Sequence, residues 1–416
     1  MPAAGDLRKN AKRRVRFMKT LLYHGRVITP WRVLKDGYVL IDAESGLIEA
    51  VGSGSVGDIA CDTRIDVENR YIAPGFVDIH THGGGGYDFM DGDAQSILGA
   101  ARAHLEHGTT AIFPSTVSST NESLYPVFEA YKQAKTMENN GAALCGLHLE
   151  GPYFNIEKKG AMDPRYVRNP DMNEVEDILS RSDDIVRWSI APELPGALEM
   201  GRRLRAAGIL PSMGHTMAVY EQAIEAFENG FTLCTHLYSA MAGVQRIHAF
   251  RHAGPVETAF TTDDMDVEII ADGVHLPKTL LKLIYQTKGP GRTALITDSM
   301  RAAGQTSGTS MLGDKETGVP VIIEDGVAKL ADRSAFAGSI ATTDRLVRVM
   351  RDEAGAPIED AVRMVSATPA RIMGLTNKGR LAPTFDADIT VFDDDIQMYA
   401  VYRGGKRLFD GAEAAK

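Results

Sequence analysis

From Pro74 onward the chain repeats one pattern: a short apolar run, a polar residue at its end, then an amphipathic stretch at helical spacing. Such alternation is the signature of a parallel sheet with helical crossovers. Eight apolar runs occur, at residues 76–80, 110–114, 143–149, 186–191, 209–213, 231–235, 265–271 and 293–297. Eight strands close a (β/α)8 barrel, a unit of about 250 residues. The expected helices lie at 94–107, 123–139, 196–207, 217–229 and 277–288, with two more at 342–354 and 358–373. Within 217–229, Tyr220, Ala223, Ile224 and Phe227 share one face, which is expected to pack on the barrel.

The flanks read differently. Runs at 21–28, 37–42 and 47–51, and again at 379–383, 387–392 and 398–406, have the short alternating character of strands. The expected organisation is therefore a barrel over 74–375 and a small β-sandwich module assembled from 20–73 and 376–416. Residues 308–332 read as a loop containing a hairpin, 319–323 with 327–330, turning at Glu324-Asp325-Gly326. Residues 1–19 carry Arg8, Lys9, Lys12, Arg13, Arg14, Arg16 and Lys19 without the apolar segment of a secretory signal. They are expected to be a basic disordered extension, with Met18 as an alternative start.

The polar residues that end the strands carry the functional signal, because a parallel barrel does its chemistry at the C-terminal ends of its strands. His80 and His82 stand one residue apart, so in an extended strand they point to one face, with Asp78 on the same side. The run Gly83 to Gly86 after them lets backbone approach a ligand. Glu150, His215, His236 and Asp298 end the third, fifth, sixth and eighth runs. His215 and His236 are separated by one crossover, so they belong on neighbouring strands. Imidazoles with a carboxylate and an open position suit zinc or another divalent transition metal. Asp298 is then placed to take a proton from water and return it to a leaving nitrogen.

The net charge of -10 excludes a general nucleic-acid binder, which needs positive surface to displace phosphate counterions. No run approaches the roughly 20 apolar residues that span a bilayer, so no membrane partner is expected. Cys61, Cys145 and Cys234 are widely separated, with no CxxC pair; they fit a reducing cytoplasm better than a disulfide framework.

The segments PGFVDIHTHGGGGYDFMDG, GLHLEGPYFNIEKKGA, MGHT, THLYSAM, IIADGVHLP, ALITDSMRAAG, FAGSIATTDRLVR, SATPARIMGL and GRLAPTFDADITVFD together resemble the amidohydrolase superfamily, and within it the N-acetylglucosamine-6-phosphate deacetylase family, over about residues 20 to 410. The resemblance implies a metal-dependent barrel that hydrolyses the acetamide of N-acetylglucosamine 6-phosphate to glucosamine 6-phosphate and acetate. It assigns Glu150, His215 and His236 to a zinc ion, with iron, manganese or cobalt as alternatives, and leaves His80 and His82 for a second ion. Asp298 takes the place of the catalytic acid and base, and His275 that of a histidine that binds substrate and polarises its carbonyl. Ala161, Met162, Ser239, Ala240, Arg251, Phe336, Ala337 and Gly338 fall at substrate-contacting positions, and a homodimer is implied. The pattern departs at Ser239, commonly asparagine, and at Met162, often histidine. The segment 241–254 is also longer, so Arg251 is aligned to the phosphate-binding arginine and Arg246 is second choice.

Other readings stay open on the sequence. They are a galactosamine or unphosphorylated substrate, an amidohydrolase acting on a cyclic amide, and a non-catalytic scaffold. Cyclic-amide enzymes of this type commonly carry a modified lysine on the fourth strand, where residues 186–193 have none. A scaffold should have lost ligands, and all are present here.

Overall fold

The computed structural model describes residues 18–411; residues 1–17 of the expected basic extension 1–19 lie outside them, and Lys19, expected in that extension, instead opens the strand Lys19–Ile28. The eight expected parallel strands form. Phe76–Thr81 pairs with Thr109–Pro114, which also pairs with the short strand Ala143–Leu144. A bridge between Ser115 and His148 carries the order to Leu147–Glu150. Ile185–Ile190, Leu210–Met213, Leu233–Cys234, Asp266–Ile270 and Thr293–Ile296 follow in parallel pairing. The eighth strand returns to the first through Asp298 N donating to His80 O at 2.9 Å and Thr297 Oγ1 donating to Asp78 Oδ2 at 2.5 Å. This is an α/β fold of the TIM-barrel type.

Burial pushes the Asp78 carboxyl up to about 7, against the hydrogen bonds from Thr297 and His80 that favour its ionised form. Asp78 is thus a seam residue and not a ligand. The third run is split at Gly146, whose φ of 132° places its backbone where a Cβ would enter the Val186 side chain.

Helices surround the strands for local reasons that can be read in the sequence. In Ala94–Glu106, Asp93 caps the first turn by accepting from Ser96 N, and Ile97, Ala100, Ala101, His104 and Leu105 form the buried stripe. The expected helix at 358–373 is instead two, Ile358–Val365 and Ala367–Ile372, broken at Ser366. Pro369 explains the break, since it has no amide to give to Val365 O. Met172–Arg181 and Pro255–Thr261 are helices that the sequence reading did not separate from loops. Tyr220 also departs from expectation. It opens the helix Tyr220–Glu228 and is 40% exposed, while Ala223 and Ala226 bury the face and Phe227 packs partly against the core.

Residues 308–330 form a three-stranded antiparallel sheet, Gly308–Leu312, Val319–Glu324 and Val327–Leu330, so the part expected as loop supplies a strand. The predicted turn is present: Asp325 and Gly326 both have positive φ, as a tight two-residue hairpin requires.

The terminal segments meet in one eight-stranded sheet. Its order is Lys406–Asp410, Met398–Arg403, Ile389–Phe392, Tyr71–Pro74, Lys19–Ile28, Val33–Asp42 and Leu47–Ser53, with Thr63–Asp66 also on Lys19–Ile28. Residues 379–383 form no strand, and Pro383 has no amide for a ladder. A separate core lies on this sheet, with Leu22, Val27, Val39, Ile41 and Ile72 from the first segment and Leu381, Ile389, Val391 and Tyr402 from the last. No helix among the described residues is long and apolar enough to cross a membrane.

Candidate metal centre and active site

At the C-terminal end of the barrel, Glu150 stands between two pairs of histidines. Its Oε1 lies 3.2 Å from His215 Nε2 and 3.0 Å from His236 Nε2. On the other side, His80 Nε2 is 3.4 Å from Oε1 and His82 Nε2 is 3.3 Å from Oε2. Asp298 Oδ1 completes the ring at 3.1 Å from His82 Nε2 and 3.5 Å from His80 Nε2. All six side chains are buried.

The backbone aims these groups inward at some strain. His215, His236 and Asp298 each follow a strand and adopt positive φ, at 50°, 27° and 47°. Non-glycine residues held there cost about 1–3 kcal/mol each, and such strain collects at functional sites. Phe154 stacks on the His215 ring at 4.1 Å.

The other ring nitrogens settle the proton positions. His215 Nδ1 donates to Lys158 O at 2.7 Å, His236 Nδ1 to Ser239 O at 3.1 Å, and His82 Nδ1 to Ser115 O at 3.2 Å. A carbonyl only accepts, so each Nδ1 carries hydrogen and each Nε2 is the ring nitrogen turned toward Glu150 or Asp298. Nitrogen and carboxylate oxygen at such distances attract only when a cation, a proton or a metal ion, lies between them.

Two further observations fit a metal there. Ligand atoms about 2.0–2.1 Å from one ion at tetrahedral angles lie about 3.4 Å apart, close to the separations seen. His80 Nε2, the ring nitrogen that faces Glu150 and Asp298, is buried without a hydrogen-bond partner among the described residues.

Electrostatics point the same way. Burial alone would lower the His80 pKa, but the charges of Glu150 and Asp298 push it up to about 9; His82 is raised well above its ordinary value by hydrogen bonds to Asp298 and Glu150, again against burial. Burial would raise the pKa of Glu150 and Asp298, yet His80 and its neighbours hold both below the usual carboxylate range. A site that draws protons this strongly is one that stabilises positive charge.

Above the cluster opens a cavity of about 310 Å³, lined by His82, Glu150, His215, His236 and Asp298 on its floor. Ala161, Met162, Ser239, Ala240, His275, Phe336 and Gly338, which the resemblance put at substrate-contacting positions, line its walls. Three expected residues stand elsewhere. His80 lies beneath the floor, and Ala337 is fully buried behind Phe336. Arg251 is exposed on the ribbon Gln245–Ile247 with Phe250–His252, opposite Arg246, and neither arginine lines the cavity of its own chain.

Sequence reasoning missed Gly160, Tyr238, Ile270, Leu312 and Ala335 on the walls, and two anchoring carboxylates. Asp272 Oδ2 accepts from His275 Nδ1 at 2.8 Å, while Oδ1 takes the amides of Val274 and His275. Glu193 accepts from Thr216 Oγ1 and Met217 N, both at 2.6 Å, and from Asn155 Nδ2 at 3.0 Å, pinning the loop that carries His215. Glu193 follows the fourth strand, so the strand-end rule that found Glu150 applied to it as well.

Comparisons with known proteins agree with this architecture. The sequence matches the amidohydrolase family over residues 71–411. It is 32% identical to the N-acetylglucosamine-6-phosphate deacetylase of Danio rerio over 84% of this chain and 87% of that protein, and 33% identical to that of Homo sapiens over 85% and 87%. The structure of a variant of the Mycobacterium smegmatis N-acetyl-D-glucosamine-6-phosphate deacetylase, in complex with N-acetyl-D-glucosamine-6-phosphate, superposes with a TM-score of 0.85 at 32% identity, covering 94% of this chain and 99% of that one.

Proposed function

The chain belongs to the amidohydrolase family, and we propose on that premise that it hydrolyses the acetamide of N-acetylglucosamine 6-phosphate to glucosamine 6-phosphate and acetate. The observation that carries the proposal is the set of inward-facing Nε2 atoms around Glu150, on the floor of a cavity that also holds Asp298 and His275.

Glu150, His215 and His236 would hold one divalent ion, and His80 and His82 with Glu150 a second. Zinc suits the nitrogen-rich donor set, with iron, manganese or cobalt as alternatives. When bound, such an ion polarises the substrate carbonyl and lowers the pKa of water.

The chain's own residues do the rest. Asp298 takes a proton from the attacking water as its oxygen bonds to the acetyl carbon, then gives it to the sugar nitrogen as the C–N bond breaks. His275, held at Nδ1 by Asp272, meets substrate through Nε2. As an imidazolium that nitrogen donates to the developing oxyanion; as a neutral imidazole it accepts from a sugar hydroxyl. Met162, Leu312 and Phe336 wall the site with apolar surface that limits water.

The phosphate needs a cationic donor, and no lysine or arginine among the described residues lines the cavity. Arg246 and Arg251 are exposed on a ribbon beside exposed Val244, Ile247 and Phe250. That combination of apolar surface and free guanidinium supports a homodimer in which the ribbon reaches the neighbouring cavity. Domain division at 20–73, 74–375 and 376–416 is supported by the separate core of the terminal sheet, and strands from both of its halves share that core, as in a sandwich. The cysteines fit a cytoplasmic enzyme: Cys61, Cys145 and Cys234 are all free.

Steady-state kinetics on N-acetylglucosamine and N-acetylgalactosamine, each with and without the 6-phosphate, test the assignment. N-acetylglucosamine 6-phosphate should have the highest kcat/KM, and Arg251→Ala should reduce it far more than kcat/KM for the free sugar. A native enzyme that prefers the free sugar contradicts the phosphate assignment.

A further inference from the structure

Beneath the cluster, inside the barrel, Arg187 and Glu268 form a fully buried ion pair that the hydrolytic chemistry does not use. Arg187 sits on the fourth barrel strand and Glu268 on the seventh, so the pair crosses the barrel interior. Every Arg187 donor is engaged. Nη1 bonds Glu268 Oε1 and Ile79 O, Nη2 bonds Glu268 Oε2 at 2.8 Å and Thr235 Oγ1 at 3.0 Å, and Nε bonds Ser212 Oγ at 3.1 Å. A buried pair of this kind rarely stabilises a fold more than apolar residues of the same volume would. Its retention calls for another role.

The role lies on the far side of Glu268. Its Oε2 is 3.5 Å from Nδ1 of His80. The histidines around Glu150 differ in just this respect: His82, His215 and His236 each give Nδ1–H to a backbone carbonyl, whereas His80 has a carboxylate facing it. The back of the His80 ring is closed by His148, edge-on at 4.5 Å, which is itself held between Ser115 Oγ and Ser189 Oγ. A carboxylate behind a histidine keeps hydrogen on Nδ1 and the lone pair on Nε2, and makes that lone pair a stronger donor to a metal.

We propose that Arg187 and Glu268 are positioning residues for the second metal position: Arg187 fixes the Glu268 carboxylate, which sets the His80 ring with Nε2 toward Glu150 and His82. The inference rests on the metal-dependent reading above, and goes beyond it by assigning the HxH pair as a tuned half-site.

The test is zinc titration of the metal-stripped full chain by competition with a chromophoric chelator, with thermal unfolding of the same metal-free samples. The wild type should take up two equivalents. In the double variant Arg187→Met with Glu268→Leu, which leaves no lone buried charge, the second equivalent should bind about 10- to 100-fold more weakly, with the first unchanged and the Tm of the metal-free protein near that of the wild type. A purely structural pair would shift Tm and leave the ratio of the two affinities alone, which would overturn the inference. Glu268→Gln keeps an acceptor oxygen and should restore part of the lost affinity; if the double variant does not fold, this single variant carries the test, and an unchanged second affinity in it also overturns the proposal. A wild type that binds one equivalent and needs it for activity overturns this inference alone, whereas full activity without metal overturns the proposed function itself.

Discussion

Asp298 makes contacts that separate its chemical role from its structural one. Its backbone amide closes the barrel on His80 O, and its carboxylate faces His82. Asn keeps the backbone and the shape while losing the base. Asp298→Asn should therefore retain fold and metal content but lose about 10²- to 10⁴-fold in kcat, checked by turnover and metal analysis on one preparation. For His275→Asn a fall of about 10²- to 10³-fold in kcat identifies an oxyanion donor, and a rise confined to KM identifies a partner of the sugar hydroxyls. Asp298 was legible because a polar group ending an apolar run has few structural reasons to be there, whereas His275 came only from the family resemblance. Glu268 and Asp272 were missed. Glu268 lies inside a strand where alternation alone does not say which face is interior; Asp272 directly follows the run 265–271, so the strand-end rule applied to it, but its pairing with His275 three residues on is supplied only by the fold.

At the level of elements, the loop after the fifth strand shows how a remote carboxylate holds a ligand in place. Glu193, after the fourth strand, accepts from Thr216, Met217 and Asn155, joining the His215 loop to the loop that carries Lys158. Hydrogen bonds to a charged group contribute roughly 1.5–3 kcal/mol each, so Glu193→Ala should lower the urea midpoint measurably. It should also weaken metal retention on dialysis, although Glu193 touches no ligand side chain. Strands and long helices could be read from periodicity alone, since their apolar positions recur at 2 or 3.6 residues. Met172–Arg181 was hidden because only Val175 and Ile178 are buried in it, and Pro255–Thr261 because seven residues give no period to detect.

Across the whole molecule, the ring of helices is closed by His107, after the first barrel helix, and Asp344, at the start of Thr343–Asp352, which meet at 3.2 Å. Burial works against protonated His107, but the hydrogen bond and charge of Asp344 prevail and raise its pKa above 6.5; burial likewise opposes ionised Asp344, and His107 lowers its pKa below 3.8. The raised histidine contributes stability in full below its unfolded value of 6.5, lost as pH rises through the folded value. The depressed carboxylate contributes above 3.8, lost as pH falls through its folded value. The destabilisation caused by His107→Gln, read from urea midpoints, should thus be larger at pH 5.5 than at pH 8.5. The barrel was legible at this scale because its repeat is local.

The joining of the two terminal segments was legible, but the strand order of their sheet was not, because no local pattern says that Tyr71–Pro74 pairs with Ile389–Phe392. That pairing sets a clock on biosynthesis. Thr390 and Pro74 are 316 residues apart along the chain, so at about 5–20 residues per second the ribosome leaves the early strands waiting roughly 15–60 s for their neighbour. During that interval one edge of Tyr71–Pro74 and the apolar side chains Ile72 and Val27 have no C-terminal cover, an unpaired strand edge and apolar surface of the kind that invites misassociation.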